Sequence, residues 1–246
     1  MKETILFCLP YAGGSARIYA KWRKFLNSSV ELFPIELAGR GKRFNEPFYS
    51  TMDEAIHDIY SQIKDKLNHP FAIYGHSMGS LLAYELSYKI QQTNGLSPLH
   101  IFFSGGKPPH CRTVKKEIHK LTDSDFKNEI KRMGGTPNEL LAEKELFEIF
   151  MPILRADFRL IETYRYIKKS DSKLNSKVTV LNGKEDEISD NELLGWQQYT
   201  KQSCNIVNFE GGHFFINDHA ESIVDLINNV VKIENKLNKS AILHIG

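Results

Sequence analysis

Six short apolar runs, separated by segments of helix length, constrain the fold of this 246-residue chain more than any other feature of its sequence. The runs are rich in β-branched and aromatic residues, and most are nearly continuous rather than alternating. Such runs are typical of strands that are covered on both faces of a parallel sheet. They are residues 5–9, 30–35, 71–74, 99–103, 178–181 and 205–209.

Two of the intervening segments have the spacing of an amphipathic helix. After Met78, the apolar residues Leu82, Leu86 and Ile90 recur every four positions and form a stripe along one helical face. Residues 223–231 carry a similar apolar set, whereas we expect the polar tail that follows to fray. The alternation of strands and helices predicts an α/β fold with a mostly parallel, doubly wound sheet.

The alternation is interrupted once, between about residues 105 and 175, where the pattern is helical and loop-like. Helical spacing is visible at residues 126–133, 140–154 and 158–167, with a break at Gly134-Gly135-Thr136-Pro137. An insertion of this size between two strands is typical of a lid. We therefore predict one domain over residues 1–246, with a helical lid at 105–175 inserted within it.

Charge, hydropathy and cysteine content argue against several classes of function. Lys and Arg total 32 against 30 Asp and Glu, and no basic block is present, so nucleic acid is not an expected partner. No apolar run is long enough to span a bilayer and no signal-peptide cleavage site is visible, so we expect a cytoplasmic protein without membrane attachment. The three cysteines form no CxxC pair, which favours a reducing compartment.

The segment Gly75-His76-Ser77-Met78-Gly79 fits the pattern G-x-S-x-G, and the predicted strand and helix on either side of it make the match more specific. It directly follows the third apolar run and opens the helix that begins near Met78. This is the strand-turn-helix setting in which the α/β-hydrolase fold presents a nucleophilic serine. The small flanking residues suit a sharp turn, so Ser77 is the candidate nucleophile.

A serine hydroxyl needs a positioned base, and histidine titrates in the useful range. His213 lies in Gly211-Gly212-His213-Phe214-Phe215, after the last predicted strand and before the final helix, where this fold places its base. His76 belongs to the serine turn itself, and we assign it a structural or substrate-facing role.

The acid that orients the base is expected in a loop after a strand between Ser77 and His213. The loop after residues 178–181 offers four carboxylates, and spacing alone does not choose among them. They are Glu185, Asp186, Glu187 and Asp190.

Two backbone amides are expected to form an oxyanion hole, one from Met78 and one from the turn Leu9-Pro10-Tyr11-Ala12-Gly13-Gly14. The glycines of that turn do not make a phosphate loop, because the sequence has neither G-x-G-x-x-G nor a Walker lysine. No cluster has the spacing of a metal site, so we predict hydrolysis without a cofactor or a metal.

Taken in order, these motifs resemble the type II thioesterases that accompany nonribosomal peptide and polyketide synthases. The resemblance covers nearly the whole chain. It is carried by residues 9–14, Glu36-Leu37-Ala38-Gly39-Arg40-Gly41, Arg43, Glu46-Pro47, residues 75–79, 134–137, Pro152, Leu154-Arg155-Ala156-Asp157-Phe158, Tyr164 and residues 211–215.

The resemblance implies that the acid is Asp186, three residues after Gly183, and that Ala12 supplies the second oxyanion amide. It also implies a substrate, an acyl group in thioester linkage to the phosphopantetheine arm of a carrier protein. Removal of short or aberrant acyl groups would restore a blocked synthase. We expect carrier protein domains as partners and a monomeric enzyme.

Three other functions remain open. A medium-chain acyl-carrier thioesterase of fatty acid synthesis resembles the same family and would prefer longer acyl chains. A carboxylesterase or lipase would cleave oxygen esters at least as fast as thioesters. A binding or scaffold protein could retain the fold without the activity.

Overall fold

The computed structural model describes residues 4–113, 116–136, 138–169 and 173–243. Pro137 of the predicted break lies outside the described residues, as do residues 114–115 and 170–172 of the predicted lid.

A sheet of six strands forms the centre of the molecule, and all neighbouring strands run parallel. Its order is β2-β1-β3-β4-β5-β6. Each predicted apolar run coincides with one strand, so the predicted α/β fold with a parallel sheet is confirmed. The strands are β1 (Thr4–Leu9), β2 (Val30–Pro34), β3 (Phe71–His76), β4 (His100–Ser104), β5 (Lys177–Gly183) and β6 (Cys204–Phe209).

Helices cover both faces of the sheet, as the apolar strands require. The α-helices are α1 (Met52–Ile63), α2 (Met78–Asn94), α3 (Asp123–Met133), α4 (Asn138–Ala142), α5 (Lys144–Thr163), α6 (Asp190–Leu194) and α7 (Ala220–Leu243). Short 3₁₀ helices comprise Ala16–Lys24, Gly41–Arg43, Lys64–Lys66, Pro109–Cys111, Ile118–Lys120, Gly195–Tyr199 and Phe215–Asn217. None of the helices in the described part of the chain combines the length and hydropathy that crossing a bilayer requires.

The side chains of β1 show how the two faces are filled, because successive residues of a strand point to opposite sides. Phe7 and Leu9 lie in a core that includes residues of α1 and α2. Leu6 and Cys8 lie in a second core with residues of α7 and the 3₁₀ helix Ala16–Lys24. The sheet is therefore doubly wound.

Between β4 and β5, the described residues form helices and loops and no strand, as the sequence predicts. Residues 126–133 lie in α3, and the pattern at 140–154 is divided between α4 and α5. The prediction of a helix over 158–167 is wrong beyond Thr163, where α5 ends. After the helix ends, Tyr164 and Lys169 both hydrogen bond to Glu85 of α2, at 2.6 and 2.7 Å.

The expected fraying of the tail is also wrong for the described residues, because α7 continues to Leu243. Two polar contacts hold this part of the helix against the sheet. Asn235 hydrogen bonds to the Thr4 hydroxyl at 2.9 Å, and Glu234 pairs with Lys177 at 3.0 Å. These contacts join positions more than 50 residues apart, so local apolar spacing does not reveal them.

His100, at the start of β4, is a buried titratable group of the sheet. Its Nε2 lies 2.9 Å from Thr179 Oγ1, and its Nδ1 lies 3.9 Å from Glu234, which itself pairs with Lys177. Burial, with a smaller contribution from the charge of Lys177, lowers the pKa of His100 to about 4. The imidazole is therefore neutral in the folded protein at pH 7.

We predict that His100 makes the protein less stable as the pH falls from about 6.5 to 4. The unfolded chain binds the His100 proton near pH 6.5, whereas the folded protein binds it only near pH 4, so acid favours the unfolded state. In His100→Gln, which keeps a polar group for Thr179, the free energy of unfolding should fall by about 2 kcal/mol less than in wild type between pH 7 and pH 5. Urea unfolding of both proteins at the two pH values measures the difference, and equal losses would show that His100 does not cause it.

Candidate active site

The turn that carries Ser77 joins β3 to α2 and has a strained backbone. Ser77 has a φ of 56°, and it is the one non-glycine residue with a positive φ in the described part of the chain. Glycine permits the turn on both sides, because a Cβ on Gly75 would lie 1.9 Å from the Gly79 carbonyl oxygen. A Cβ on Gly79 would lie 2.2 Å from the Leu9 carbonyl oxygen. Close backbone contact therefore requires the small residues of the G-x-S-x-G pattern.

The structure brings Ser77, His213 and Asp186 together in one series of hydrogen bonds. Ser77 Oγ lies 2.9 Å from His213 Nε2, and His213 Nδ1 lies 2.7 Å from Asp186 Oδ2. With the proton of the neutral imidazole on Nδ1, His213 donates to the carboxylate and accepts from the serine hydroxyl. The three residues follow β3, β6 and β5, and their loops meet because the carboxyl ends of parallel strands share one edge.

Of the four carboxylates left open by the sequence, the structure places Asp186 against His213. The Asp186 side chain is 7% exposed, whereas Glu185, Glu187 and Asp190 are exposed residues. Backbone bonds hold this loop, since the Asp186 amide donates to the Gly183 carbonyl and the Glu185 amide donates to Gly211, both at 3.0 Å. The second bond joins the loop of Asp186 directly to the loop that carries His213.

The turn after β1, from which the sequence predicts the second oxyanion donor, leaves the sheet at the same edge as the turn that carries Ser77. Its Gly14 amide donates to the Tyr11 carbonyl at 2.8 Å, and Leu9 pairs with Gly75 across the sheet. Within the described residues, the amides of Ala12 and Met78 have no hydrogen-bond acceptor. Both are therefore available to an oxygen of a bound substrate.

A buried ion pair that the sequence did not predict holds the same turn. Arg40, in the loop after β2, forms two hydrogen bonds of 2.6 Å with Asp157 of α5. Asp157 also accepts the Gly13 amide at 2.7 Å, and Arg40 donates to the Gly14 carbonyl at 3.1 Å. Arg155, two residues before Asp157 and therefore on a different side of the helix, does not pair with it and instead binds Asp123. The one sequence signal that could have indicated this pair is Asp157 itself, an acid three residues after Leu154 and so on the same inward-facing side of α5.

Aromatic rings surround His213 and Ser77. Phe214 packs edge-on against Tyr11 and His213, with ring centroids 5.3 and 5.1 Å apart. A Cβ on Gly135, from the segment 105–175, would lie 2.0 Å from Phe214 Cζ. That segment therefore lies directly over the aromatic ring next to His213.

His76, next to Ser77 in the chain, is fully buried. Of the structural and substrate-facing roles predicted for it, burial favours the structural one. Its Nδ1 lies 2.8 Å from the Ser104 hydroxyl, which also accepts a 2.8 Å hydrogen bond from Tyr74. Burial lowers the pKa of His76 well below the usual value, and the nearby His213 lowers it further. A neutral His76 adds no positive charge next to the base.

Other chemistry-bearing groups are dispersed. Across the described residues, no group of three or more His, Cys, Asp or Glu side chains is arranged to hold a metal ion. All three cysteines lie in the described part of the chain, and all are free thiols.

Comparison with known proteins connects this geometry to a family. The family model described as thioesterase domain matches residues 4–231. The chain is 33% identical over 223 residues to the gramicidin S biosynthesis protein GrsT of Aneurinibacillus migulanus, a match that covers 90% of this chain and 86% of GrsT. It is 34% identical over 217 residues to the medium-chain S-acyl fatty acid synthase thioesterase of Rattus norvegicus, which covers 86% of this chain and 81% of that protein.

A solved structure agrees with both sequence matches. The crystal structure of ClbQ from the colibactin NRPS/PKS pathway superposes with a TM-score of 0.91 at 36% identity. The superposition covers 96% of this chain and 99% of ClbQ. The resemblance that the motifs indicate, and the α/β-hydrolase fold that it implies, are confirmed.

We predict that Gly75→Ala destabilises the protein by about 3 kcal/mol or more and abolishes hydrolysis, because the new Cβ would overlap the Gly79 carbonyl. Gly212→Ala is the matched control, since a Cβ there would meet no atom within 4 Å. Its free energy of unfolding should stay within about 0.5 kcal/mol of wild type. Urea unfolding of the three proteins makes the comparison, and equal stabilities for both variants would contradict the steric account.

Proposed function

The chain belongs to the thioesterase domain family, and on that basis we propose that it hydrolyses acyl thioesters on the phosphopantetheine arm of carrier proteins. In this proposal it removes short or aberrant acyl groups that block a nonribosomal peptide or polyketide synthase. The observation that carries the proposal is the series of hydrogen bonds from Ser77 through His213 to Asp186.

The first half of the proposed reaction transfers the acyl group to the enzyme. Ser77 Oγ attacks the thioester carbonyl carbon, and His213 Nε2 takes the hydroxyl proton. Asp186 holds the imidazole in the required tautomer and stabilises the imidazolium. Collapse of the tetrahedral intermediate breaks the carbon–sulfur bond, and the proton passes from His213 to the departing thiol.

The second half releases the acid and regenerates the serine. Water, activated by His213, attacks the acyl-Ser77 ester, and the proton returns to Ser77 Oγ as the ester bond breaks. In both halves the negative charge develops on the carbonyl oxygen, and we assign its stabilisation to the Met78 and Ala12 amides. Fixed donors of this kind are worth about 10²-fold to 10³-fold in rate.

The proposed partner is a carrier protein domain, because relatives come from assembly-line pathways. GrsT belongs to gramicidin S biosynthesis, and ClbQ comes from the colibactin NRPS/PKS pathway. The phosphopantetheine arm is part of the substrate, so the proposed chemistry requires no cofactor and no metal of the enzyme's own. We further propose a cytoplasmic monomer, a location consistent with its three free thiols.

A medium-chain acyl-carrier thioesterase is the second candidate, and the 34% identity to the rat enzyme favours it. The two candidates share the same chemistry and differ in the length of the acyl group. Phe150 and Leu154 of α5 reach the turn that holds Ala12, since a Cβ on Gly13 would lie within 2.9 and 2.6 Å of their side chains. Large side chains at this point favour a short acyl group.

The experiment that tests the proposal is a mass-spectrometric deacylation assay on a phosphopantetheinylated carrier. Acetyl, aminoacyl, medium-chain and long-chain groups are offered at equal concentration to wild type, Ser77→Ala and His213→Ala. Release of several short groups by wild type, with losses of several orders of magnitude in both variants, is the expected result. A preference for medium chains would select the second candidate. Cleavage of a simple oxygen ester without release from any carrier would overturn the carrier assignment.

We predict that Asp186→Asn lowers kcat by about 10²-fold to 10⁴-fold. The Asn amide would donate to His213 Nδ1 and shift the ring proton to Nε2. A protonated Nε2 cannot accept the proton of the Ser77 hydroxyl. Glu185→Gln and Glu187→Gln are matched controls on the same loop and should stay within about 2-fold of wild type. Steady-state rates with one carrier substrate measure these changes. A larger loss of kcat in either Glu variant than in Asp186→Asn would contradict the assignment of Asp186 as the acid.

A further inference from the structure

We propose that Asp157 and Arg40 are positioning residues that aim the Ala12 amide into the oxyanion hole. The inference rests on the proposed function, in which Ala12 stabilises the tetrahedral oxyanion. It assigns a role in transition-state stabilisation to a helix of the segment 105–175 and to a loop that supplies none of the reacting groups.

The contacts of the pair converge on the turn after β1. The Asp157 and Arg40 side chains are 1% and 4% exposed, and two parallel hydrogen bonds of 2.6 Å join them. Asp157 Oδ2 accepts the Gly13 amide at 2.7 Å, and Arg40 Nη1 donates to the Gly14 carbonyl at 3.1 Å. The pair therefore holds one donor and one acceptor of the turn itself.

Planarity of the peptide bond carries this restraint to Ala12. The Gly14 amide binds the Tyr11 carbonyl, which belongs to the same peptide plane as the Ala12 amide. In a trans peptide the amide points away from the carbonyl, so this bond directs the Ala12 amide out of the turn. Because Asp157 and Arg40 fix the groups on Gly13 and Gly14, they fix the direction in which the Ala12 amide points.

The turn needs external support because of its composition. Gly13 has a φ of 78°, and glycine has more backbone freedom to lose than any other residue. Leu154 and Phe150 pack on Gly13 from α5, one and two helical turns before Asp157. Apolar contacts alone could attach α5 to the turn without the desolvation cost of a buried ion pair. A carboxylate adds an acceptor for the Gly13 amide, which apolar side chains cannot supply.

The experiment separates positioning from simple stabilisation by comparing two inhibitors. An acyl trifluoromethyl ketone adds to Ser77 Oγ, whose proton passes to His213, and forms a tetrahedral adduct with an oxyanion. The matched amide analogue of the acyl-phosphopantetheine binds without reacting. The ratio of the two affinities measures how strongly the oxyanion hole stabilises the adduct. It does not depend on the fraction of folded protein, which affects both inhibitors equally.

Asp157→Asn is the first variant, and Arg40→Met/Asp157→Leu is the second, because it leaves no unpaired charge if the first fails to fold. Glu85→Gln is the matched control, since Glu85 is another buried carboxylate that anchors the end of segment 105–175 through Tyr164 and Lys169. In the positioning variants kcat and ketone affinity should both fall by about 10-fold to 100-fold. Their KM and amide affinity should stay within about 2-fold of wild type, and the control should keep the wild-type affinity ratio.

Two outcomes would overturn the proposal and are distinguishable. An unchanged affinity ratio in folded positioning variants, with wild type active, would assign the pair to stability alone and leave the proposed function intact. A wild-type protein that neither cleaves carrier thioesters nor binds the ketone would overturn the proposed function, and the inference would fail with it.

Discussion

Close contact between three backbone segments at the carboxyl edge of the sheet is the constraint on which the site depends. The ends of β1 and β3 and the start of α2 approach so closely that Gly75 and Gly79 leave no room for a side chain. This contact supports the positive φ of Ser77, a conformation that is costly for a residue with a Cβ. The same contact holds the end of β1 against the start of α2, so the turn after β1 and the turn of Ser77 begin side by side.

Bonds between loops then complete the site, since no single loop holds all of its groups. The loop of Asp186 is tied to the loop of His213 by the bond from the Glu185 amide to the Gly211 carbonyl. On the other side, the Arg40–Asp157 pair joins the loop after β2 to α5 and to the turn after β1. Each loop of the candidate site is therefore held by a bond to a second element of the fold. Such mutual support suits chemistry that requires fixed donors rather than flexible ones.

The sequence was most informative where a signal is local. Apolar runs located all six strands, and the glycines and the chain order located Ser77 and His213. Spacing could not choose among the four acids of the loop after β5, because which of them contacts His213 depends on how that loop meets the loop of His213. The contact of Arg40 with Asp157 joins positions 117 residues apart, so the sequence could mark Asp157 as a buried acid of α5 but could not identify its partner. The ordered tail likewise depends on polar contacts with distant strands.

The proposed mechanism requires that the acyl group pass through Ser77, and rapid-quench peptide mapping can detect this intermediate. Wild-type protein is mixed with acyl-loaded carrier at equal concentration, quenched in acid during the first turnover, digested and examined by mass spectrometry. We expect the acyl mass on the peptide that contains Ser77, rising before the free acid and disappearing as the acid accumulates. An acyl group that appears on a different residue of the enzyme during turnover would contradict it.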